Sequence, residues 1–242
     1  MRRGLLGLLA VLVLMCAARA GAASAPPFAL PATFAGTTPC ADCPGTRTTL
    51  TLGADGKYVL DLHYLLRDVP DVVYKGSWSF DSATSRVELK SPYGAPQYFA
   101  LADPRTLRVL DRSGNEIKTT ANENLSLMTL ESNTWVLTEL RGQHLSKSST
   151  PPAPTLTFDA TGHHVSGSTG CNRLAGTYTQ TGSSLKFSPL AVTSMACTEG
   201  ATVESAFTKA LGQVQSFSFE HGMLNLYGGG FPLARFKATP KG

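Results

Sequence analysis

Short runs of alternating apolar and polar residues, separated by turn residues, occupy positions 48–110 of the chain. Asp55-Gly56 separates two such runs, and an Asp-Gly pair in that position predicts a hairpin. In the second run, one face of the predicted strand carries Tyr58, Leu60, Leu62 and Tyr64, and the other face carries Lys57, Asp61 and His63. Because similar runs follow without any helical pattern, we expect an antiparallel meander curled into a barrel or half-barrel.

The second half of the chain combines strand patterns with one helical pattern. The segments TWVLTEL, TLTFDATGHHVSGS, GTYTQTGSSLKF, FSFEHGMLNLY and LARFKA read as strands and hairpins. Between them, TVESAFTKALGQV places its apolar residues at helical spacing, namely Val203, Phe207, Ala210 or Leu211, and Val214. This pattern predicts one amphipathic helix packed on a sheet. The predicted fold class is therefore mainly β with two domains, an antiparallel barrel followed by a small α+β domain.

Domain limits follow from these patterns. We predict a signal peptide over residues 1–22, a barrel domain over 30–130 and a second domain over 132–240. Proline and serine make residues 146–154 look like a linker, but the strand TWVLTEL before them needs a partner in the second domain. The boundary is therefore placed near 129–132, with 146–154 as a surface loop.

The amino terminus is typical of an exported protein. Arg2 and Arg3 precede an apolar run and a zone of small residues, which is the order of a secretory signal with cleavage after Ala20 or Ala22. Lipid attachment at Cys16 is the alternative, and membrane association is expected only in that case. The predicted location is the periplasm, or the envelope membrane if the chain is lipid-anchored. Removing residues 1–22 lowers the formal net charge from +4 to +1, because three arginines and no acids are lost. We therefore expect no nucleic-acid partner.

Cys40 and Cys43 form a Cys-x-x-Cys pair with three possible interpretations. A disulfide would clip the loop that enters the next strand, with a stabilisation of roughly 2 kcal/mol and enough lability to respond to redox conditions. Two thiolates also suit Cu(I), although a third ligand must come from elsewhere, so copper is the one metal considered. A thiol oxidoreductase is the third possibility, but the residues after Cys43 are strand-like, and a redox pair is expected at a helix start.

Cys171 and Cys197 complete an even set of cysteines in the exported chain, which favours disulfides. A bridge between them would close a loop of roughly 27 residues, worth about 3.5 kcal/mol in the chain-entropy model. Sequence alone does not show that the two sulfurs meet. The surrounding GCNRLAG segment reads first as a turn or bulge.

Other chemistry-bearing residues have structural explanations. His63 is a metal-ligand candidate by pattern only, and His163 and His164 fall in a predicted hairpin turn where solvation is expected. Isolated Asp and Glu residues are expected to be solvated, and no hydrolase or phosphate-binding motif is present in the sequence. The aromatic residues Tyr58, Tyr64, Trp78 and Phe80 are expected to fill the barrel, which leaves little room for a ligand.

Two stretches resemble known families. The segment FAGTTPCADCPGTRTTLTLGADGKYVLDLHYL, with YKGSWSF and LRVLDRSGNEI after it, resembles the N-terminal domain of NlpE-type envelope lipoproteins over about 34–117. The segments TWVLTEL, TLTFDATGHHVSGSTGCNRLAGTY and LKFSPLAVTSMAC resemble a META domain of HslJ-type heat-shock proteins over about 134–238. The first resemblance implies a lipocalin-like barrel in the bacterial envelope, associated with copper resistance and stress sensing. The second implies an α+β domain linked to stress tolerance.

These observations predict a non-catalytic envelope protein that acts in stress response or copper tolerance through sensing or binding. The alternatives are a carrier for copper or a small ligand, using the barrel, and a thiol oxidoreductase. The partner is expected to be an envelope protein or a small ligand. No cofactor is expected except copper. The chain departs from the best-known NlpE proteins in its second domain and in the residues before Cys16.

Overall fold

A computed structural model describes residues 25–145, 152–195, 201–239 and 241 of the chain. The predicted signal peptide and Cys16 lie outside the described residues, as do Cys197 and most of the predicted surface loop. Among the described residues, no helix is both long enough and apolar enough to cross a lipid bilayer.

Eight antiparallel strands form a closed barrel in the first part of the chain. They are β1 (Ala32–Thr38), β2 (Thr46–Leu52), β3 (Lys57–Tyr64), β4 (Val72–Asp81), β5 (Arg86–Lys90), β6 (Gln97–Asp103), β7 (Thr106–Val109) and β8 (Asn124–Leu127). Each strand pairs with the next, and β8 returns to β1 through Phe34 opposite Leu127. The Asp-Gly turn joins β2 to β3 as predicted, with Asp55 Oδ1 accepting a hydrogen bond of 3.0 Å from the Lys57 amide.

The barrel interior is filled by the apolar faces of its strands. Its buried core comprises Ala32, Phe34, Leu50, Leu52, Tyr58, Leu60, Phe80, Val87, Leu89, Phe99, Leu107 and Leu125. Trp78 packs against this core and donates its indole hydrogen to the Gly53 carbonyl at 3.0 Å. Tyr64 does not join the core, because it lies at the end of β3 and remains partly exposed. The prediction that aromatic residues fill the barrel therefore holds for three of the four and is wrong for Tyr64.

The second part of the chain builds another antiparallel sheet around one helix. Its strands are β9 (Thr134–Leu140), β10 (Gln143–His144), β11 (Thr155–Asp159), β12 (His164–Ser168), β13 (Arg173–Thr181), β14 (Ser184–Phe187), β15 (Ala191–Val192), β16 (Ser216–Glu220), β17 (Met223–Gly228) and β18 (Phe231–Thr239). The strand order is β10-β9-β11-β12-β13-β14-β16-β17-β18, and β18 also pairs with β9, so the sheet closes on itself. Helix α1 (Ala201–Leu211) covers it.

The helix contributes its predicted apolar face to the core of this sheet. Phe207, Ala210 and Leu211 are buried, and the Phe207 ring lies 6.1 Å from that of Phe236 on β18. A turn of 3-10 helix at Leu130–Ser132 connects the two parts of the chain. Trp135 donates its indole hydrogen to the Leu130 carbonyl at 2.7 Å, which fixes this turn to β9. The fold class predicted from the sequence is confirmed.

Candidate functional site

The Cys-x-x-Cys pair occupies the loop between β1 and β2. Cys40 and Cys43 are joined by a disulfide, with their Cα atoms 5.3 Å apart. Both residues are partly exposed, and Ala41, Asp42 and Pro44 around them are exposed. The bridge therefore closes a small surface loop at one end of the barrel. Because the loop lies between two strands, no helix terminus is available there to lower a thiol pKa.

The disulfide loop is attached to the loop between β3 and β4. Arg67 forms an ion pair with Asp42, which lies between the two cysteines. The Leu65 amide donates to the Gly45 carbonyl at 3.0 Å. Between these contacts, Leu66 adopts a left-handed backbone conformation with φ of 54° and leaves 94% of its surface exposed. A change in the disulfide loop is thus mechanically connected to an exposed apolar side chain.

Copper does not fit this arrangement of sulfurs. Cu(I) binds thiolates, and a disulfide offers none. Among the described residues, no group of three or more His, Cys, Asp or Glu side chains is placed to hold a metal ion. His63, the candidate third ligand, donates from Nδ1 to Asp71 Oδ1 at 2.7 Å. His163 and His164 are exposed at the start of β12, and the His163 ring lies 5.3 Å from that of Tyr178.

A buried polar cluster surrounds the third predicted cysteine. Cys171 is disulfide-bonded, and its pairing with Cys197 stays a prediction because Cys197 lies outside the described residues. Next to it, Asn172 is 2% exposed and donates from Nδ2 to both carboxylate oxygens of Glu204, at 3.1 and 3.0 Å. Its Oδ1 accepts from Thr193 Oγ1 at 2.9 Å and from the Met195 amide at 2.8 Å.

Glu204 binds this cluster from the first turn of α1. The Thr169 hydroxyl donates to Oε2 of its carboxylate. Hydrogen bonds from Thr169 and Asn172 stabilise the ionised form and lower the pKa of Glu204. Because these polar groups bond mainly to one another, the cluster acts structurally by joining the loop after β12 to the helix. The sequence pointed to a turn here but gave no sign of the Asn172–Glu204 contact.

Asp61 corrects the prediction that isolated acidic residues are solvated. It lies on the outer face of β3, as the alternation predicts, but it is only 4% exposed. The turn between β16 and β17 covers it, and His221 in that turn donates from Nδ1 to Asp61 Oδ2. A Cβ at Gly222 of the same turn would lie 3.3 Å from Thr49 Oγ1 on β2. The second domain is thus docked on the barrel wall through a contact between residues 160 positions apart in sequence.

Comparisons with known proteins agree with this two-part organisation. Residues 34–120 match the family model of the NlpE N-terminal domain, and residues 128–240 match that of the META domain. The lipoprotein NlpE of Escherichia coli K12 is 34% identical over 98 residues, which are 40% of this chain and 40% of that protein. The matched stretch therefore spans well under half the length of this curated relative.

Solved structures show more distant likenesses. A putative lipoprotein from Shewanella oneidensis is 33% identical, covering 40% of this chain and 86% of that one, with a TM-score of 0.34. A protein from Burkholderia xenovorans is 28% identical over 46% of this chain and 85% of that one, with a TM-score of 0.40. The Cpx pathway activator NlpE from Escherichia coli is 20% identical over 88% of this chain and 95% of that one, with a TM-score of 0.34.

Proposed function

Since the chain carries an NlpE N-terminal domain followed by a META domain, we propose that it is a non-catalytic envelope protein of the stress response. The 34% identity to lipoprotein NlpE supports this, because it covers the barrel and its disulfide loop. The Escherichia coli protein is described as a Cpx pathway activator. By extension, the partner of this chain is an envelope protein, and the chain itself lies in the periplasm or on an envelope membrane.

The observation that carries the proposal is the accessible disulfide between Cys40 and Cys43. A small, exposed disulfide ring is open to attack by an external thiolate. A dithiol reductant forms a mixed disulfide with one sulfur, and its second thiol then releases the pair. Two electrons pass to the loop, leaving Cys40 and Cys43 as thiols and the reductant as a disulfide. The structure thereby supports a sensor that reports a loss of oxidising conditions.

The signal has a physical route out of the loop. Opening the ring frees the backbone between the cysteines, including Asp42, whose ion pair with Arg67 attaches the loop to the β3–β4 loop. Leu66 next to Arg67 is an exposed apolar side chain in a sparsely populated conformation. We propose that this neighbouring loop contacts the envelope partner in a way that depends on the redox state of Cys40 and Cys43.

The test combines a thiol measurement with a transcriptional one in the native host. A strain lacking the protein is complemented with the wild type, with Cys40→Ser/Cys43→Ser, or with Ala41→Ser as a control in the same loop. A pulse of dithiothreitol should convert Cys40 and Cys43 to thiols, measured as a mass shift after maleimide labelling. Envelope-stress transcripts should change in the wild type and the control.

The double-serine variant should give the same transcript level before and after the pulse, because its loop has no disulfide to open. A transcript response of wild-type size in this variant would exclude the Cys40–Cys43 sensor. So would a wild-type protein whose disulfide survives the pulse while the transcripts change.

A copper-binding role is a second proposal, restricted to the reduced loop. The two sulfurs already lie within one short loop, so reduction would present two adjacent thiolates to Cu(I). Titration with Cu(I) should then show stoichiometric binding to the reduced protein and none to the oxidised protein or to the double-serine variant. Turnover in an insulin-reduction assay would instead support the oxidoreductase hypothesis, which the hairpin setting of Cys40 and Cys43 does not favour.

A further inference from the structure

A cavity of about 530 Å³ lies at the junction of the barrel and the second domain. Its walls come from the segment leading into β1, from the end of β8 and from β16. The apolar part of the lining comprises Leu30, Pro31, Leu127, Met128, Phe217 and Phe219. Sites for small organic molecules commonly have volumes of roughly 300–1,000 Å³ and often form between domains. The volume and position of this cavity are those of a ligand site.

The aromatic wall of the cavity is held in place by its neighbours. Phe219 stacks on Trp135 with ring centroids 5.5 Å apart, and it meets Phe217 edge to face at 5.4 Å. Trp135 is fully buried and hydrogen-bonded, so the stack rests on a fixed support. A wall of this kind does not need to be rebuilt when a ligand enters, which lowers the entropic cost of binding.

One end of the cavity is polar and negatively charged. Ser218 Oγ donates to Glu220 Oε1 at 2.8 Å, and the Tyr227 hydroxyl donates to the same oxygen at 3.0 Å. Burial raises the pKa of Tyr227, so its hydroxyl keeps its proton and remains a donor. Within the described part of the chain, the ion pairs of 4.0 Å or less do not include Glu220. A negative charge therefore stands at the edge of an apolar cavity without a cationic partner.

A second cavity, of about 410 Å³, continues from this point along the barrel wall. The two cavities share Thr51 and Glu220, and the second is also lined by Val59, Val73 and the docked pair Asp61 and His221. Lys75, at the exposed edge of the second cavity, is its one ammonium group. Glu220 thus stands where the apolar cavity opens into a more polar groove.

We propose that the junction binds an amphipathic organic cation. Its apolar body would occupy the space between Leu30, Met128 and Phe217, and its protonated amine would donate hydrogen bonds to Glu220. This ligand class matches the two halves of the lining, since an apolar cavity wall does not retain ordered water and a carboxylate favours a cation. Because both domains line the cavity, the bound cation would also strengthen their docking.

The proposal is tested with two probes that share one ring system and differ in charge. 1-Naphthylmethylammonium and 1-naphthoate are titrated separately into the mature protein, followed by naphthalene fluorescence and by amide chemical shifts. The ammonium probe should bind saturably, with a dissociation constant on the order of 0.1 mM for a ligand of this size. The shifts should concentrate in β16, β17 and the segment before β1.

Three variants separate the charge from the shape of the site. Glu220→Gln removes the charge and should weaken binding of the ammonium probe at least tenfold. Ser183→Trp places a large ring at the rim of the cavity and should block binding while Glu220 is intact. Glu116→Gln, on the exposed surface of the barrel, should bind as the wild type does.

Equal affinity for the anionic and cationic probes would refute the proposed role of Glu220. Binding of neither probe, or binding that survives Ser183→Trp, would refute the site itself. These outcomes are independent of the thiol state of Cys40 and Cys43, so they do not bear on the redox proposal.

Discussion

The contact between His221 and Asp61 should hold the two domains together. Asp61 has only 6% of its side chain exposed, whereas His221 has 49% exposed. A hydrogen bond to a charged group contributes about 1.5–3 kcal/mol, and the exposure of His221 places this one near the lower limit. We therefore expect His221→Ala to lower the free energy of domain docking by about 1.5 kcal/mol, or roughly tenfold in the docking equilibrium.

The size of this effect is measurable in two ways. Hydrogen–deuterium exchange followed by mass spectrometry resolves amides of β3 in the barrel from those of β16 and β17 in the second domain. His221→Ala should accelerate exchange in both places, because each covers the other. Urea unfolding should show a loss of about 1 M in the midpoint of the affected transition, for a slope of about 1.5 kcal/mol per molar urea.

A double-mutant cycle isolates the pair from other effects of the substitutions. Asp61→Asn, His221→Ala and the double variant should give a coupling energy of about 1.5 kcal/mol. His144→Ala is the control, because His144 is 83% exposed and lies 3.8 Å from Glu139 in a surface ion pair. It should cost about 0.3 kcal/mol. A coupling energy below about 0.3 kcal/mol, or equal losses for His221→Ala and His144→Ala, would refute the argument.

Three further predictions concern the cysteine loop and the polar cluster at α1. Cys40→Ser/Cys43→Ser should lower the unfolding free energy of the barrel by at most about 2 kcal/mol in urea, since the closed loop is short; a larger loss would mean that the bridge organises more than its own loop. Asn172→Ala should cost about 3 kcal/mol because it strands buried partners, while the exposed Gln180→Ala should change the thermal midpoint little; similar midpoints for both would contradict this. Because the folded-state pKa of Glu204 lies below its ordinary value of 4.5, its contribution to stability is present above that pH and is lost as the pH falls through the folded pKa. Glu204→Gln should therefore flatten the acid limb of the stability profile of the second domain, and an unchanged limb would exclude Glu204 as its source.

Local sequence patterns predicted much of the architecture for a physical reason. An alternation of period two places side chains on opposite faces of a strand, so the buried face of β3 was readable from Tyr58 and Leu60. The Asp55-Gly56 turn was readable because Gly56 adopts a positive φ of 74°, which glycine tolerates. The helical spacing of Phe207 and Leu211 likewise predicted the buried face of α1.

The candidate sites were only partly contained in such patterns. The Cys40–Cys43 spacing identified the loop, but three interpretations stayed open until the structure showed a disulfide in a hairpin. The binding of Glu204 by Asn172 was not predictable, since the two residues are 32 positions apart and neither spacing nor composition signals their contact.

By itself, the sequence determined which residues form strands, turns and the helix, because these depend on side chains within a few positions of one another. Only the tertiary structure decided that Asp61 is buried, since its cover comes from a turn 160 residues further along the chain. The same holds for the junction cavity, whose walls converge from the chain before β1 and from β16. Contacts of this kind depend on how two finished domains pack, and a single strand pattern carries no information about the surface that will meet it.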